Sequence, residues 1–290
     1  MKESSIIKKL PVNKADMVLL KIPYEGTVSG GAGASKGPEA ICDMLKYQVE
    51  EWDYILKKRV CDKVNVVERE VNVGGFKPER MVEAVEKETL KLLDNNKFVA
   101  ALGGEHTVSV GVVAAMKRKF SDLTVVQIDA HADMRDSNGD YEDDPKKITR
   151  YAHSCAMRRV YDLGCQVVQV GIRSMSPLEY EFISEKRLER NIFYDPVKAS
   201  CKKIIDRCET DKVYFTIDVD GFEPSVMPAT GTPEPGGLSW GWVLEFSQEL
   251  FKRKKVVGMD INEVAPRESD ERTEFAAAKL LYHLIGLKFL

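Results

Sequence analysis

"LTVVQIDAHADMRD" (residues 123–136) opens as an apolar run, Leu123 to Ile128, and then places Asp129, His131 and Asp133 at every second position. The run reads as a buried strand. Side chains two apart project to the same face of an extended chain, so two carboxylates and an imidazole converge on one spot. Ionised carboxylates are costly to gather unless a cation sits between them. The stretch therefore reads as a strand whose carboxyl end delivers metal ligands, and a sheet built this way should carry polar groups at other strand ends too.

Working outward, short apolar runs alternate with amphipathic segments from end to end. Further strands are expected at Met17–Ile22, Phe98–Leu102, Gln166–Ile172, Asn191–Tyr194, Val213–Asp218 and Val256–Ile261, with another near Val64–Val67. The central strand is expected to extend to Asp129. Helices are expected from Pro38 and from Pro78, the latter with Met81, Val82, Val85, Leu92 and Leu93 on one face. Ser176-Pro177 and Ser239-Trp240 have the form of a cap followed by a first helical residue, and a long helix closes the chain. Strand–helix alternation argues for an α/β fold with a mostly parallel sheet covered on both faces. No low-complexity linker and no repeat interrupts it, so residues 1–290 read as one domain. Ligands in such sheets bind beyond the carboxyl ends of the strands.

Composition narrows the partners. The 43% hydrophobic and 31% charged residues suit a globular protein with a substantial core. A net charge of -3 supplies no basic field for nucleic acid, and the pairs Lys254-Lys255 and Arg158-Arg159 read as solvated faces. No run approaches the length of a membrane span, and the N-terminus lacks a long apolar signal region. Six cysteines without a Cys-x-x-Cys read as reduced thiols of a cytoplasmic protein.

Other strand ends do carry polar groups. "FTIDVDGFEPS" (215–225) delivers Asp218 and Asp220 two apart, and "ALGGEHTVS" (101–109) turns on Gly103-Gly104 and presents His106. "GMDINEVAP" (258–266) puts Glu263 just past a fourth strand. The candidate ligands are His106, Asp129, His131, Asp133, Asp218 and Asp220. Four carboxylates and two imidazoles exceed the needs of one cation but suit two that share carboxylates. Oxygen-rich ligands without thiolate favour Mn²⁺ over a structural zinc. Two such ions roughly 3.5–4 Å apart can activate a water for hydrolysis. An EF-hand loop over Asp133 to Asp140 fails, because Gly139 at its sixth position would put Met134 at the first. A binuclear phosphoesterase would need an Asn-His pair, which the chain lacks. Of the four histidines, His106, His131 and His153 fall in the motif stretches, an economy that favours the metal reading.

Together, "GGEHTVS", "DAHADMRD", "DVDGFEPSVMPATGTPEPGGLS", "INEVAP" and the N-terminal "IPYEGTVSGGAGASKGPEAI" resemble the ureohydrolases, the arginase and agmatinase family. The resemblance implies a three-layer α/β/α fold with an eight-stranded, mostly parallel sheet. It also implies two Mn²⁺ per chain, hydrolysis of a guanidinium to urea and an amine, and a homo-oligomer, trimer or hexamer. By position, Asp129 and Asp218 would bridge both ions. His106 and Asp133 would complete one site, and His131 and Asp220 the other, with Asp133 also orienting the attacking hydroxide. Glu263 would accept the guanidinium, and His153, in "YAHSCAMRR", would shuttle a proton to the departing amine. His283 reads as structural, and Cys155 as packing or an oxidation-sensitive thiol. Glycines 103, 104, 231, 236 and 237 would serve tight turns near the metals.

Arginase-like enzymes hold the substrate's amino-acid head through an Asn-Thr-Pro stretch and a nearby Ser. The loop after Asp133 begins Met134-Arg-Asp-Ser and lacks that pattern; "HADMRD" resembles the agmatinase branch. Residues 134–152 also carry Asp136, Asp140, Glu142, Asp143 and Asp144, an acidic rim suited to a cationic tail. The expected reaction is agmatine to putrescine and urea, in polyamine biosynthesis. The alternatives are N1-aminopropylagmatine, then a guanidino acid, then arginine, or a non-catalytic metal-binding member of the family.

Overall fold

Alternate residues of the central strands face two different cores. On β1 (Met17–Ile22), Met17 and Leu19 pack into one, while Val18, Leu20 and Ile22 pack into the other. The structure, a computed structural model, describes residues 4–28, 30–194 and 199–290. Ser29 of the N-terminal motif and the first three residues lie outside the described residues.

After β1 come β2 (Trp52–Asp53), β3 (Lys58–Arg59), β4 (Val66–Glu70), β5 (Phe98–Gly103) and β6 (Thr124–Ile128). They are followed by β7 (Gln166–Val170), β8 (Ile192–Phe193), β9 (Lys212–Asp218) and β10 (Lys255–Asn262). The helices are α1 (Gly37–Tyr47), α2 (Pro78–Asp94), α3 (Val108–Lys119), α4 (Ala156–Asp162), α5 (Pro177–Glu185), α6 (Cys201–Ile205), α7 (Trp240–Arg253) and α8 (Arg272–Phe289). β2 and β3 form a separate hairpin; the rest make an eight-stranded sheet in the order β4-β1-β5-β10-β9-β6-β7-β8. Every pairing in that sheet is parallel. One face packs on α1, α6, α7 and α8 through residues such as Leu45, Ile204, Phe246 and Leu281. The other packs on α2, α3, α4 and α5 through Met81, Met116, Val160 and Ile183. The result is the expected α/β/α sandwich.

Local signals act as the sequence implies. Ser176 and Glu179 form a reciprocal capping box at α5, and Ser239 accepts the Trp242 N–H to open α7. Pro78 is the first residue of α2, while Pro38 is the second of α1. Strand ends differ by a few residues. β7 stops at Val170, two residues before the expected Ile172, because Gly171 turns to φ 95°. A side chain there would crowd the carbonyl of Asp129.

Chain order and sheet order differ: β4 and β5 flank β1, and the larger break comes after β5. The chain jumps across the sheet to β6, and β9 and β10 later fill the gap. The four central strands β5, β10, β9 and β6 thus meet at the topological switch, where their carboxyl ends flank a crevice.

Candidate metal centre

Register brings the strand ends level. Ile128 pairs with Ile217, and Asn262 with Asp218, so the residues that follow emerge side by side. Gly104 lets the β5 turn pass against β1, since a side chain there would collide with the Tyr24 carbonyl. The loops after β5 and β10 then clasp each other: Glu263 N–H donates to the Gly104 carbonyl, and His106 N–H donates to Glu263 Oε1. Asp133 and Glu263 both take left-handed backbone conformations, φ 53° and 65°. Non-glycine residues rarely adopt these, and such strain clusters at functional sites.

All six candidate ligands converge. His106, Asp129 and Asp133 form one trio whose ligand atoms lie within 4.8 Å of one another, and Asp129, His131 and Asp220 form a second. Asp129 is common to both. Its Oδ2 lies 3.0 Å from His106 Nδ1, and its Oδ1 lies 3.7 Å from His131 Nδ1. Asp218 falls in neither trio, but its Oδ2 is 3.5 Å from His106 Nδ1, and its Oδ1 accepts the Asp220 N–H.

The environment asks for positive charge. His106 Nδ1 is buried among three carboxylate oxygens at 3.0–3.5 Å, yet none is aligned as a hydrogen-bond partner. Burial opposes a charge on the His106 ring, but the three carboxylates around Nδ1 raise its pKa well above the usual imidazole range. Its other nitrogen, Nε2, is held at 2.8 Å by Thr216 Oγ1, which fixes the ring. Burial lifts Asp133 to about 7 with help from the Asp129 charge, and burial raises Asp218 and Asp220 with help from neighbouring acids. Burial opposes a charge on His131, but hydrogen bonds to Asp129 and Asp220 push it up to about 12. In the metal-free protein these protons do what a bound cation would do. An oxygen-rich donor set around two buried foci, with two imidazoles and no thiolate, fits a pair of divalent ions.

Two residues expected beside the ligands also line the same cavity, of about 630 Å³: Glu263 and His153. Burial, with the nearby Glu105 charge, raises Glu263 well above the usual carboxylate range. Burial holds His153 down at about 4, so the imidazole is neutral at neutral pH. Its backbone N–H donates to Thr27 Oγ1, which in turn donates to Glu105. Glu105, fully buried, also accepts the N–H groups of Gly26 and Thr27 and the hydroxyl of Thr107. The N-terminal motif is thereby pinned beneath His153. Sequence reasoning passed over Glu105 and Thr27 as site residues, although both lie inside the quoted motifs.

The acidic loop is not the open rim its composition suggests. Asp140 pairs with Arg135, and Asp136 pairs with Arg150 and Arg159. Arg159 is itself 5% exposed, so it is a buried anchor for the loop rather than a solvated cation. Of the five loop acids, Glu142 is the one lining the cavity. Cys155 is fully buried, and burial pushes its thiol up to about 11, which disfavours the thiolate. His283 pairs with Asp53 at 2.8 Å in a buried contact of α8, the structural role expected of it. All six cysteines are unpaired, and no helix among the described residues is long and apolar enough to cross a membrane.

The same architecture is found in proteins of known type. The model of the Arginase family matches residues 15–286. The chain is 38% identical to the N(1)-aminopropylagmatine ureohydrolase of Synechocystis sp., over 94% of this chain and 89% of that one. It is 31% identical to the agmatinase of Pyrococcus horikoshii, over 95% and 93% respectively. The crystal structure of the agmatine ureohydrolase of Thermoplasma volcanium superposes with a TM-score of 0.81 at 28% identity, covering 99% of this chain and 94% of that one. Matched along nearly its whole length in this way, the chain belongs to the arginase family and is a ureohydrolase, a hydrolytic enzyme.

Proposed function

We propose that the enzyme hydrolyses the guanidinium of an amine-tailed substrate without a carboxylate, releasing urea and a polyamine. Agmatine, giving putrescine, is the first reading. N1-aminopropylagmatine is the second, favoured by the name of the 38% identical relative. One observation carries the shared part. The cavity lined by His106, His131, Asp133, Asp218 and Asp220 offers Glu142 toward a cationic tail, and among the described residues the one Lys or Arg lining it, Arg135, is already tied to Asp140. A substrate carboxylate would find no uncommitted cation there.

Roles follow from position. His106, Asp129 and Asp133 would hold one Mn²⁺ and Asp129, His131 and Asp220 a second, with Asp218 beside His106 available to either. Held there, the ions would supply Lewis acidity and make a water acidic enough to attack at neutral pH. Glu263 keeps one oxygen on the His106 N–H and turns the other to the guanidinium. His153, neutral at neutral pH, accepts a proton and hands it to the leaving amine. The cytoplasm and a homo-oligomeric assembly, trimer or hexamer, complete the reading.

Urea release from agmatine, N1-aminopropylagmatine, guanidinobutyrate and arginine tests it. The amine-tailed substrates should exceed arginine by at least ~100-fold in kcat/KM, because an unpaired buried charge costs upwards of roughly 1–3 kcal/mol and each 1.36 kcal/mol is about tenfold. Glu142→Gln should narrow that gap. Arginine turned over as well as agmatine would sink the substrate reading. Exhaustive chelation should abolish activity and Mn²⁺ should restore it. Full activity in protein shown metal-free by elemental analysis would end the metal reading.

A further inference from the structure

Gln127 on β6 and Gln169 on β7 are directly paired across the sheet, and both are buried, at 0% and 1% exposure. Two amides side by side on a face otherwise lined by Val125 and Val167 are a costly choice unless their hydrogen bonds are spoken for. They are. Gln127 Nε2 donates to Asp129 Oδ2 at 2.6 Å. Gln169 Nε2 donates to Gln127 Oε1 at 2.5 Å and to the Ala132 carbonyl at 2.6 Å.

The direction of this chain is fixed at both ends by groups that can only accept. The Asp129 carboxylate requires the NH₂ of Gln127, which turns the Gln127 oxygen toward Gln169. The Ala132 carbonyl likewise requires the NH₂ of Gln169. Gln169 Oε1 is left buried without a partner, so the arrangement is kept despite a local penalty. At its far end the chain grips both oxygens of Asp129 in concert with the backbone. Gln127 holds Oδ2, the oxygen facing His106, while the His131 N–H holds Oδ1 at 2.6 Å. At the Ala132 end it fixes the peptide that joins Ala132 to Asp133. Two neutral side chains thus reach three of the six ligand positions without adding a positive charge that would compete with an ion.

We propose that Gln127 and Gln169 are positioning residues for the metal centre: they lock the carboxylate plane of Asp129 so that one oxygen faces each ligand trio, and they hold the His131–Asp133 turn in place. This rests on the reading of Asp129 as a ligand shared by two ions. Orienting partners of metal ligands typically change metal affinity by 10–100-fold when removed.

Gln127→Met keeps length and apolar bulk but removes the donor, and Gln169→Met does the same one step further from the metals. Mn²⁺ binding is titrated by the electron paramagnetic resonance signal of the free ion, alongside thermal unfolding of the metal-free proteins and steady-state kinetics. In Gln127→Met the dissociation constant should rise at least tenfold, with a smaller rise in Gln169→Met. Turnover should fall at limiting Mn²⁺ and recover at excess, while KM for the guanidine stays within about twofold. Unchanged Mn²⁺ affinity in both variants overturns the proposal while leaving the shared-ligand reading intact. Loss of turnover that excess Mn²⁺ does not restore, together with a matching drop in metal-free melting temperature, overturns it in favour of packing alone. Wild-type protein that binds no Mn²⁺ overturns both.

Discussion

Replacing Asp129 with asparagine will leave a folded protein that retains at most one ion per chain and releases urea at least ~10³-fold more slowly. Asp129 is the residue common to both ligand trios, with Oδ2 turned to His106 and Oδ1 to His131. An amide has one oxygen, so it can serve one side only. The hydrogen-bond partners of the two oxygens make the conflict sharper. Asp129 Oδ1 accepts the His131 N–H and Oδ2 accepts Gln127 Nε2, so either orientation of the new NH₂ sets a donor against a donor. Two-ion catalysis supplies several kcal/mol of transition-state stabilisation, and about 4 kcal/mol corresponds to the stated factor. The fold should survive, because Asp129 lies past the end of β6, outside both hydrophobic cores. Metal content by elemental analysis and urea release settle the outcome together. Two ions per chain in the variant would show that Asp129 is not the shared ligand.

That prediction was reachable from "QIDAHADMRD", though the reason given by the sequence is only partly the physical one. Spacing of two implies one face of an extended chain. Asp129 still bonds across the sheet through its N–H to Val170, but regular strand ends at Ile128 and Asp133 turns to φ 53°. Asp133 reaches its trio because the chain bends back, not because it continues straight. The apolar runs and serine caps were legible because each is decided within a few residues. Strand order was not, since β9 and β10 enter between β5 and β6 through pairings with strands far away in the chain, Thr124 with Val213 and Ala100 with Met259. Charge was read least well. Asp136 and Asp140 look like a solvent rim in composition, whereas Arg159 and Arg135 fold back to neutralise them. Gln127 and Gln169 read as polar interruptions of apolar strands, and nothing local says that they face each other beneath a ligand.

Replacing Glu263 with glutamine should lower kcat/KM by roughly 10–200-fold while both ions stay bound. The carboxylate sits at the end of β10, outside both ligand trios but in the same cavity. Its Oε1 accepts the His106 N–H at 2.8 Å, and a glutamine oxygen can keep that bond, so the turn presenting His106 should not move. What changes is the group left for substrate. A carboxylate offers a guanidinium a charge-assisted acceptor, worth about 1.5–3 kcal/mol; an amide offers NH₂, a donor facing donors. The lost attraction alone gives about tenfold or more, and the donor–donor clash adds to it. The proton on Glu263 matters to the sign. Burial raises this acid well above its usual range in the metal-free protein, so it binds a cation best once ions and substrate have drawn the proton off. Glutamine imitates the protonated state permanently. Its effect should therefore be greatest at high pH, where the wild-type residue is ionised, and should shrink as pH falls and the wild type itself becomes protonated. Metal content, kcat and KM measured across pH separate the parts of the argument. Normal kinetics would remove Glu263 from the guanidinium, and loss of metal would show instead that its bond to His106 is what the centre depends on.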